Sequence, residues 1–245
     1  MADYEVKIVH LYPELLNLYG DKGNIECLKK RLLWRGIAAD VIPCNDEVLD
    51  IDFENTDIIF LGGGSEHEQK IVLNRLLNIK SELKSYVENG GTFIALCGGF
   101  ELICKEIHSK NTTMQGLNLL DISCTIPENE NRIIGDVVLE NGEFKNKIVG
   151  FENHSGRIDI KDYVPLGNVT AGTGSNDGCK TEGVIYKNLF ASYLHGPLFP
   201  KNPELCDAIL TKTLCHKYKD FNGLTPLDDA TEIKANEFMV RRLSK

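Results

Sequence analysis

The sequence lacks the features that mark membrane, secreted and nucleic-acid-binding proteins. No apolar run approaches the roughly 20 residues that cross a bilayer as a helix. The first residues, Met1 to Tyr4, form neither the basic nor the apolar segment of a secretory signal. The 27 basic residues are outnumbered by 36 acidic ones, and no Lys/Arg cluster stands out. We therefore expect a cytoplasmic protein with no transmembrane segment and no nucleic-acid partner.

Disulfide and metal frameworks are also missing. The eight cysteines form no CxxC pair and follow no regular spacing. Scattered cysteines in a chain without a secretory signal are typical of reduced thiols, so neither a disulfide nor a bound metal is expected. At 245 residues and 42% hydrophobic content, the chain is long enough to bury a sizeable core.

The first hundred residues alternate strand patterns with helix patterns. Glu5–Tyr12 has the composition of an opening strand, and Asn24–Arg35 has helical spacing and ends at Gly36. Further strand patterns cover Ala38–Pro43, Asp57–Leu61 and Thr92–Leu96, and helix patterns cover Glu66–Glu88 and Phe100–Ile107. This order predicts an α/β fold of the flavodoxin-like type, with a mostly parallel twisted sheet flanked by helices.

The second half of the chain changes character at about Gly116. Short apolar segments separated by Gly, Asn and Asp predict antiparallel strands, with a hairpin turn at Asn141-Gly142. The segments are Leu117–Ile126, Ile133–Glu140, Lys147–Phe151, Val184–Tyr186 and Leu189–Leu194, and two helix patterns follow at Pro203–Tyr218 and Asp228–Leu243. We divide the chain into one domain at residues 1–202 and C-terminal helices at 203–245 that pack on the same domain.

Cys97 stands where a buried strand runs into Gly98 and Gly99. A sharp strand-to-helix turn exposes a nucleophile above the sheet, and glycines leave it unobstructed. Free N–H groups and the following helix favour the thiolate, which is the attacking species. The local pattern by itself is equally compatible with a structural cysteine. Cys27, Cys104, Cys206 and Cys215 have helical core spacing and are interpreted as ordinary buried thiols.

A glycine-rich turn, Leu61-Gly-Gly-Gly-Ser65, ends the preceding buried strand. Ligands bind at the carboxyl ends of strands in open α/β sheets, so its amides can face Cys97. Gly63 and Gly64 are candidate substrate-binding residues, and the N–H groups of Gly64 and Gly98 form a candidate oxyanion hole. Phosphate binding is the alternative, but the turn has neither the Lys-Ser/Thr of a P-loop nor the spacing of a dinucleotide-binding loop.

A thiol nucleophile needs a base that also serves as an acid. His195, in Ser192-Tyr-Leu-His-Gly-Pro197, is the best candidate because it follows a predicted strand. His154, in the segment Gly150–Gly156, can also line the pocket. The remaining histidines are His10, His67, His108 and His216.

Three motifs together resemble the class I glutamine amidotransferase family, in its cobyric-acid-synthase-like branch. They are Leu61-Gly-Gly-Gly-Ser65, Ala95-Leu-Cys-Gly-Gly-Phe100 and Tyr193-Leu-His-Gly-Pro197, in matching order and spacing. Within that branch, three further segments resemble the amidotransferase subunits of lipid II isoglutaminyl synthases. These segments are Leu18–Asn24, Gly150–Arg157 and Leu194–Asn202.

The resemblance implies catalysis by Cys97 and His195 and hydrolysis of L-glutamine to glutamate and ammonia. It also implies a Mur-ligase-like partner in a heterodimer, which uses ATP and Mg²⁺ to activate the α-carboxylate of D-glutamate in lipid II for conversion to D-isoglutamine. No cofactor would then belong to this chain. Arg132, in Asn131-Arg-Ile-Ile-Gly-Asp136, corresponds to an arginine that holds the substrate, and its guanidinium suits the α-carboxylate of glutamine.

Two departures from the family pattern stand in the motifs. Pro197 occupies the position where most class I members have a glutamate that orients the histidine, so that acid comes either from this chain, for example Glu152, or from the partner. Glu101 replaces a common glutamine, and a carboxylate facing Cys97 would raise the pKa of the thiol. Two other functions stay open: a non-catalytic glutamine-binding regulator, and an amidotransferase for another acceptor such as a corrinoid.

Overall fold

The computed structural model describes residues 4–18, 20–110, 112–128 and 131–243. The strands are β1 Glu5–Leu11, β2 Ala38–Cys44, β3 Ile58–Leu61, β4 Thr92–Leu96, β5 Glu106–Ser109, β6 Thr112–Gln115, β7 Ser123–Thr125, β8 Ile133–Glu140, β9 Ile148–His154, β10 Arg157–Ile158, β11 Gly167–Ala171, β12 Thr181–Glu182, β13 Val184–Tyr186 and β14 Leu189–Ser192. The helices are α1 Lys22–Leu33, α2 Glu66–Leu76, α3 Lys80–Glu88, α4 Gly98–Leu102, α5 Leu198–Lys201, α6 Pro203–Lys217 and α7 Ala230–Leu243.

A six-stranded sheet forms the centre of the fold, in the order β13-β14-β4-β3-β1-β2. All neighbouring strands are parallel except β13 and β14. Strands β3 and β4 are buried at every position, as expected of central strands covered on both faces. The predicted α/β class with a mostly parallel sheet is confirmed.

Helices cover the sheet from both sides, because alternate residues of each strand face opposite ways. Ile59 and Phe93 pack with Leu83 of α3 on one side. On the other side Phe60 and Ile94 pack with apolar residues of α1 and α6. The carboxyl ends of β3, β4 and β14 therefore meet at one edge between two packed layers.

Two smaller sheets contain most of the antiparallel strands predicted for the second half, but β13 and β14 belong to the central sheet, where β14 is parallel to β4. Their orders are β10-β7-β5-β6 and β12-β11-β8-β9, and only the β5–β7 pair is parallel. Strand β9 also reaches the central sheet, since Phe151 forms an antiparallel bridge with His195. The His195 N–H donates to the Phe151 carbonyl at 2.9 Å.

The structure corrects four local expectations. The predicted helix Glu66–Glu88 is divided into α2 and α3 by a 3₁₀ turn at Leu77–Ile79. The helix predicted to begin at Phe100 is instead α4, which ends at Leu102 because the chain near Leu117 folds back, and the Leu117 N–H donates to the Leu102 carbonyl at 2.9 Å. Within Leu117–Ile126 only Ser123–Thr125 is strand. The β8–β9 connection spans 141–147, so it is not a two-residue hairpin.

The C-terminal helices pack against the rest of the chain through buried amide side chains. Asn202 joins β9 to the start of α6: its Nδ2 donates to the carbonyls of Val149 and Leu198, and its Oδ1 accepts the Val149 N–H at 2.8 Å. Asn236 of α7 donates to the Asn202 Oδ1 at 3.2 Å and to the Lys201 carbonyl at 3.1 Å. No helix in the described part of the chain has the length and apolar character needed to cross a membrane.

Replacement of Asn202 by alanine is expected to lower the free energy of unfolding by about 2–4 kcal/mol, because it leaves the buried Val149 N–H and two carbonyls without partners. Urea denaturation measures the change. The matched control is Asn74→Ala on the exposed face of α2, expected to lie within about 0.5 kcal/mol of the wild type. Equal stability of the two variants would contradict the assigned role of Asn202.

Candidate active site

Cys97 occupies a strained turn between β4 and α4. Its backbone has φ 52° and ψ −113°, a left-handed conformation that L residues seldom adopt. The Cys97 N–H donates to the carbonyl of Ser192 at 2.8 Å, which ties the turn to the end of β14. The thiol therefore projects from the edge where β3, β4 and β14 end, in the geometry of a nucleophile elbow.

The glycine-rich turn after β3 packs directly against Cys97. A Cβ added to Gly63 would lie 2.8 Å from the Cys97 Cβ and 3.2 Å from its Sγ, so only glycine fits there. The Gly63 N–H donates to the Asp21 carboxylate at 2.8 Å, and the Gly63 carbonyl accepts the Leu18 N–H at 2.9 Å. The Gly64 carbonyl accepts from the Gln69 side chain at 2.9 Å.

Two amides of the predicted oxyanion hole lie near the thiol. A hydrogen bond from the Gly98 backbone lowers the pKa of Cys97, so this amide faces the sulfur. Gly64 lines the pocket, and no acceptor for its N–H lies within the described residues. Gly63 contributes a close contact rather than a donor, because Asp21 takes its N–H.

His195 is buried at the same sheet edge, beyond the end of β14. Burial lowers the pKa of His195 to about 4, and His154 lowers it further, while a hydrogen bond that the ring donates to the Asn153 backbone carbonyl opposes this change. The ring is therefore neutral near pH 7 and can accept a proton. Among the described residues, His154 lines the pocket that contains Cys97, and His195 is not one of the lining residues.

The pocket at Cys97 has a volume of about 320 Å³. Arg132 lies on its wall and is held by three hydrogen bonds: Nε to the Asn153 side chain at 2.8 Å, Nη2 to the Asn153 carbonyl at 2.9 Å, and Nη1 to the Ser155 hydroxyl at 2.9 Å. These bonds use three of the five guanidinium N–H groups. The rest can bind an anion, and the positive charge lowers the pKa of the Cys97 thiol.

The structure reverses the expectation that the resting cysteine is a thiolate. Burial raises the pKa of Cys97 well above its ordinary value, and the charges of Glu101 and Asp21 raise it further. The amide of Gly98 and the charge of Arg132 oppose this but are weaker. Helix α4, with only five residues, supplies too short a dipole to offset the loss of hydration.

Glu101, which replaces a glutamine common in the family, faces the site. Its carboxylate lines the pocket and accepts a hydrogen bond from the Tyr193 hydroxyl at 3.2 Å. Burial raises the pKa of Glu101 to about 6, so this carboxyl is largely ionised at neutral pH.

Glu182, which is buried near the segment that leads to His195, was not identified from the sequence. Glu182 accepts from the Ser192 hydroxyl and the Tyr193 N–H, each at 2.7 Å, and so fixes the segment that leads to His195. The His154 ring stacks on Tyr193 with centroids 3.6 Å apart. Only the spacing of His154 hinted at a site role, and nothing in the sequence around Glu182 distinguishes it.

Glu152 was considered as the acid that orients His195. Its Oε1 accepts the Thr173 N–H at 2.9 Å and its Oε2 accepts the Gly174 N–H at 2.8 Å. Its Oε2 also lies 3.9 Å from the Nε2 of His154. The structure therefore brings Glu152 to the loop after β11 and to His154. No group of three or more His, Cys, Asp or Glu residues suited to a metal occurs among the residues described.

A family model described as the CobB/CobQ-like glutamine amidotransferase domain matches residues 7–203, and the chain belongs to this family. The resemblance inferred from the three motifs is thereby confirmed.

Two relatives match over most of the chain, and a more distant one matches over part of it. The lipid II isoglutaminyl synthase (glutamine-hydrolyzing) subunit GatD of Staphylococcus aureus (strain N315) is 40% identical over 243 residues, 99% of this chain and 98% of the relative. The protein of the same name from Streptococcus pneumoniae (strain R6) is 38% identical and covers 88% of this chain and 83% of its own length. A cobyric acid synthase of Clostridium kluyveri is 27% identical over 59% of this chain and 31% of its own length.

A crystal structure of a glutamine amidotransferase shares the fold. It superposes with a TM-score of 0.53 at 19% sequence identity, over 84% of this chain and 98% of that one. At this identity the likeness concerns the fold alone.

Alkylation of Cys97 by iodoacetamide is expected to keep accelerating with pH beyond about pH 9, where an unperturbed cysteine levels off, because burial raises the pKa of this thiol. Mass spectrometry of the peptide, with exposed Cys215 as internal reference, measures the rate. A profile for Cys97 that levels off below pH 8 would contradict the structure.

Proposed function

We propose that the chain is the glutaminase subunit of a lipid II isoglutaminyl synthase, hydrolysing L-glutamine and supplying ammonia to an ATP-dependent partner. The observation that carries the glutaminase assignment is the pocket that Cys97 and Arg132 share, next to an amide of Gly64 that has no acceptor among the described residues. The two GatD relatives support lipid II as the acceptor, because their sequence identity is about 40% and their alignments cover most of this chain.

The substrate would be oriented by its charges. Arg132 presents two unused guanidinium N–H groups to the α-carboxylate, while the side-chain amide reaches Cys97. The neutral thiol transfers its proton to His195 as the sulfur attacks the amide carbon. The amides of Gly64 and Gly98 then stabilise the oxyanion of the tetrahedral intermediate.

Collapse of that intermediate would break the carbon–nitrogen bond. The imidazolium of His195 returns its proton to the leaving group, which departs as ammonia and leaves a glutamyl thioester on Cys97. Water, deprotonated by His195, attacks the thioester, and glutamate leaves as the thiol is regenerated. No cofactor takes part in these steps, and ATP and Mg²⁺ are assigned to the partner.

We assign the carboxylate that orients His195 to the partner subunit. Burial lowers the pKa of His195 most, and the side chains of His154, Arg132 and Lys201 lower it further. A carboxylate placed against the imidazole across a subunit interface would raise that pKa and stabilise the imidazolium formed during attack. Both oxygens of Glu152 already accept loop amides, which argues against the alternative within this chain.

The partner of this proposal is a Mur-ligase-like synthetase that forms a heterodimer with the chain and activates the α-carboxylate of D-glutamate in lipid II. A corrinoid acceptor has weaker support, because the cobyric acid synthase relative covers only 59% of the chain. Co-purification identifies the bound subunit and thereby the acceptor.

Cys97→Ala is expected to abolish glutamate release from glutamine, with a loss of at least about a thousandfold in kcat, because no other thiol lines the pocket among the described residues. The assay contains the purified chain, its partner and glutamine. Cys215→Ser, at an exposed position, is the matched control and should retain wild-type activity. Glutamate release that survives Cys97→Ala would refute the proposal, and glutamine binding without turnover would favour a regulator.

Glu152→Gln is expected to retain kcat within about tenfold, because the partner and not Glu152 orients the histidine. Loss of an orienting acid in a comparable triad lowers kcat by about 10⁴. Steady-state kinetics of the complex distinguish the two outcomes, and a loss near that larger value would assign the acid to Glu152.

A further inference from the structure

Asp21 occupies the position at which an aspartate normally caps a helix, yet its side chain makes no capping hydrogen bond to α1. Its Oδ2 instead accepts the Gly63 N–H at 2.8 Å. The carboxyl group is buried, with 1% of the residue exposed, and its Oδ1 has no hydrogen-bond partner in the described part of the protein. Such a group costs stability unless its position serves another purpose.

The glycine turn rests directly on this carboxylate. A Cβ added to Gly62 would lie 2.8 Å from the Asp21 Oδ2 and 2.6 Å from the Leu16 carbonyl. A Cβ added to the next residue of the turn, Gly63, would lie 2.8 Å from the Cys97 Cβ and 3.2 Å from its Sγ. The Asp21 carboxylate, the glycine turn and the Cys97 thiol thus form a continuous series of contacts. A displacement of the carboxylate therefore changes the distance between the turn and the thiol.

Two hydrogen bonds set the direction of the Gly64 amide. The peptide unit between Gly63 and Gly64 is planar, so its N–H points opposite to its C=O. Leu18 holds that carbonyl by its N–H at 2.9 Å, and Asp21 holds the preceding peptide unit by the Gly63 N–H. With both units fixed, the Gly64 N–H has one direction left, and Gly64 lies on the pocket wall.

From this geometry we infer that Asp21 is a positioning residue for glutamine hydrolysis: its carboxylate holds the turn so that the Gly64 N–H meets the oxyanion formed at Cys97. The inference rests on the proposed function. It gives a role to the segment Leu18–Asn24, whose resemblance to amidotransferase subunits carried no chemistry of its own.

The charge of Asp21 has an effect separate from its hydrogen bond. Burial raises the pKa of Asp21 to about 7, while the bond from Gly63 lowers it. When ionised, Asp21 raises the pKa of Cys97, as does Glu101 from α4. The glycine turn presents only backbone groups to Asp21. The charged residues nearby on the flanking helices are Lys22, which follows Asp21 on α1, and Glu68 of α2, which accepts the Ser65 N–H at 2.8 Å.

Asparagine and alanine at position 21 separate these two effects. Asp21→Asn keeps an acceptor for the Gly63 N–H and removes the charge, whereas Asp21→Ala removes both. Since loss of one oxyanion-hole donor lowers kcat by about 10²–10³, we expect Asp21→Ala to lower kcat by about tenfold to a hundredfold with KM changed less than about threefold. Asp21→Asn should retain kcat within about threefold and move the pH midpoint of Cys97 alkylation downward.

The assay uses the full chain with its synthetase partner and glutamine, and melting temperatures establish that each variant is folded. Wild-type kcat in folded Asp21→Ala, or equal kcat losses in both variants, would overturn the inference. If Asp21→Ala does not fold, the Asp21→Asn variant tests the inference instead. A loss of kcat in Asp21→Asn with an unchanged pH midpoint of Cys97 alkylation would contradict the inference. Absence of glutaminase activity in the wild-type complex would instead refute the proposed function, and the alkylation midpoints would still report on Asp21.

Discussion

The close packing of the Gly62–Gly64 turn against Cys97 is the constraint on which the site depends. The strained backbone of Cys97 places its thiol within reach of Gly63, where a side chain larger than hydrogen would collide with it. This contact requires β3 and β4 to be adjacent and parallel, so that both chain segments leave the sheet at the same edge. The burial of both strands on both faces holds that edge rigid.

Burial gives the site its chemical character as well as its shape. The same exclusion of water that raises the pKa of Cys97 lowers that of His195, so the resting pair is a neutral thiol and a neutral imidazole. In the proposed reaction, attack of the thiol on the substrate creates the ion pair of thiolate and imidazolium in the same step. A site of this kind gains activity when an additional carboxylate stabilises the imidazolium, which is why we propose that a partner subunit supplies that carboxylate.

The sequence predicted the central sheet well because its signals are local. The strand patterns predicted at Asp57–Leu61 and Thr92–Leu96 reflect burial of whole segments, and the three motifs follow strands whose ends must meet. The length of α4 was not predictable in this way, because the helix ends where a backbone N–H from the distant Leu117 donates to the carbonyl of its last residue, Leu102. The roles of Asp21 and Glu182 were missed for the same reason, because each carboxylate bonds to groups distant in sequence or on another element.

The sequence predicted a lowered pKa for Cys97, whereas burial raises it. The sequence pattern shows the helix that follows the cysteine, but it does not show how deeply the cysteine is buried. Glu101, by contrast, was correctly suspected of raising that pKa, since its spacing from Cys97 on a short helix brings it to the pocket. Helix position is visible in sequence, whereas burial is a property of the assembled fold.

Covalent capture of Cys97 by an electrophilic diazoketone analogue of glutamine tests directly whether this residue is the nucleophile of a glutamine site. Peptide mass spectrometry of the complex should find the glutamine-like adduct on Cys97 alone, and an excess of L-glutamine should prevent its formation. An adduct spread over several cysteines, or one that glutamine does not suppress, would contradict the assignment of Cys97 as the nucleophile of a glutamine site.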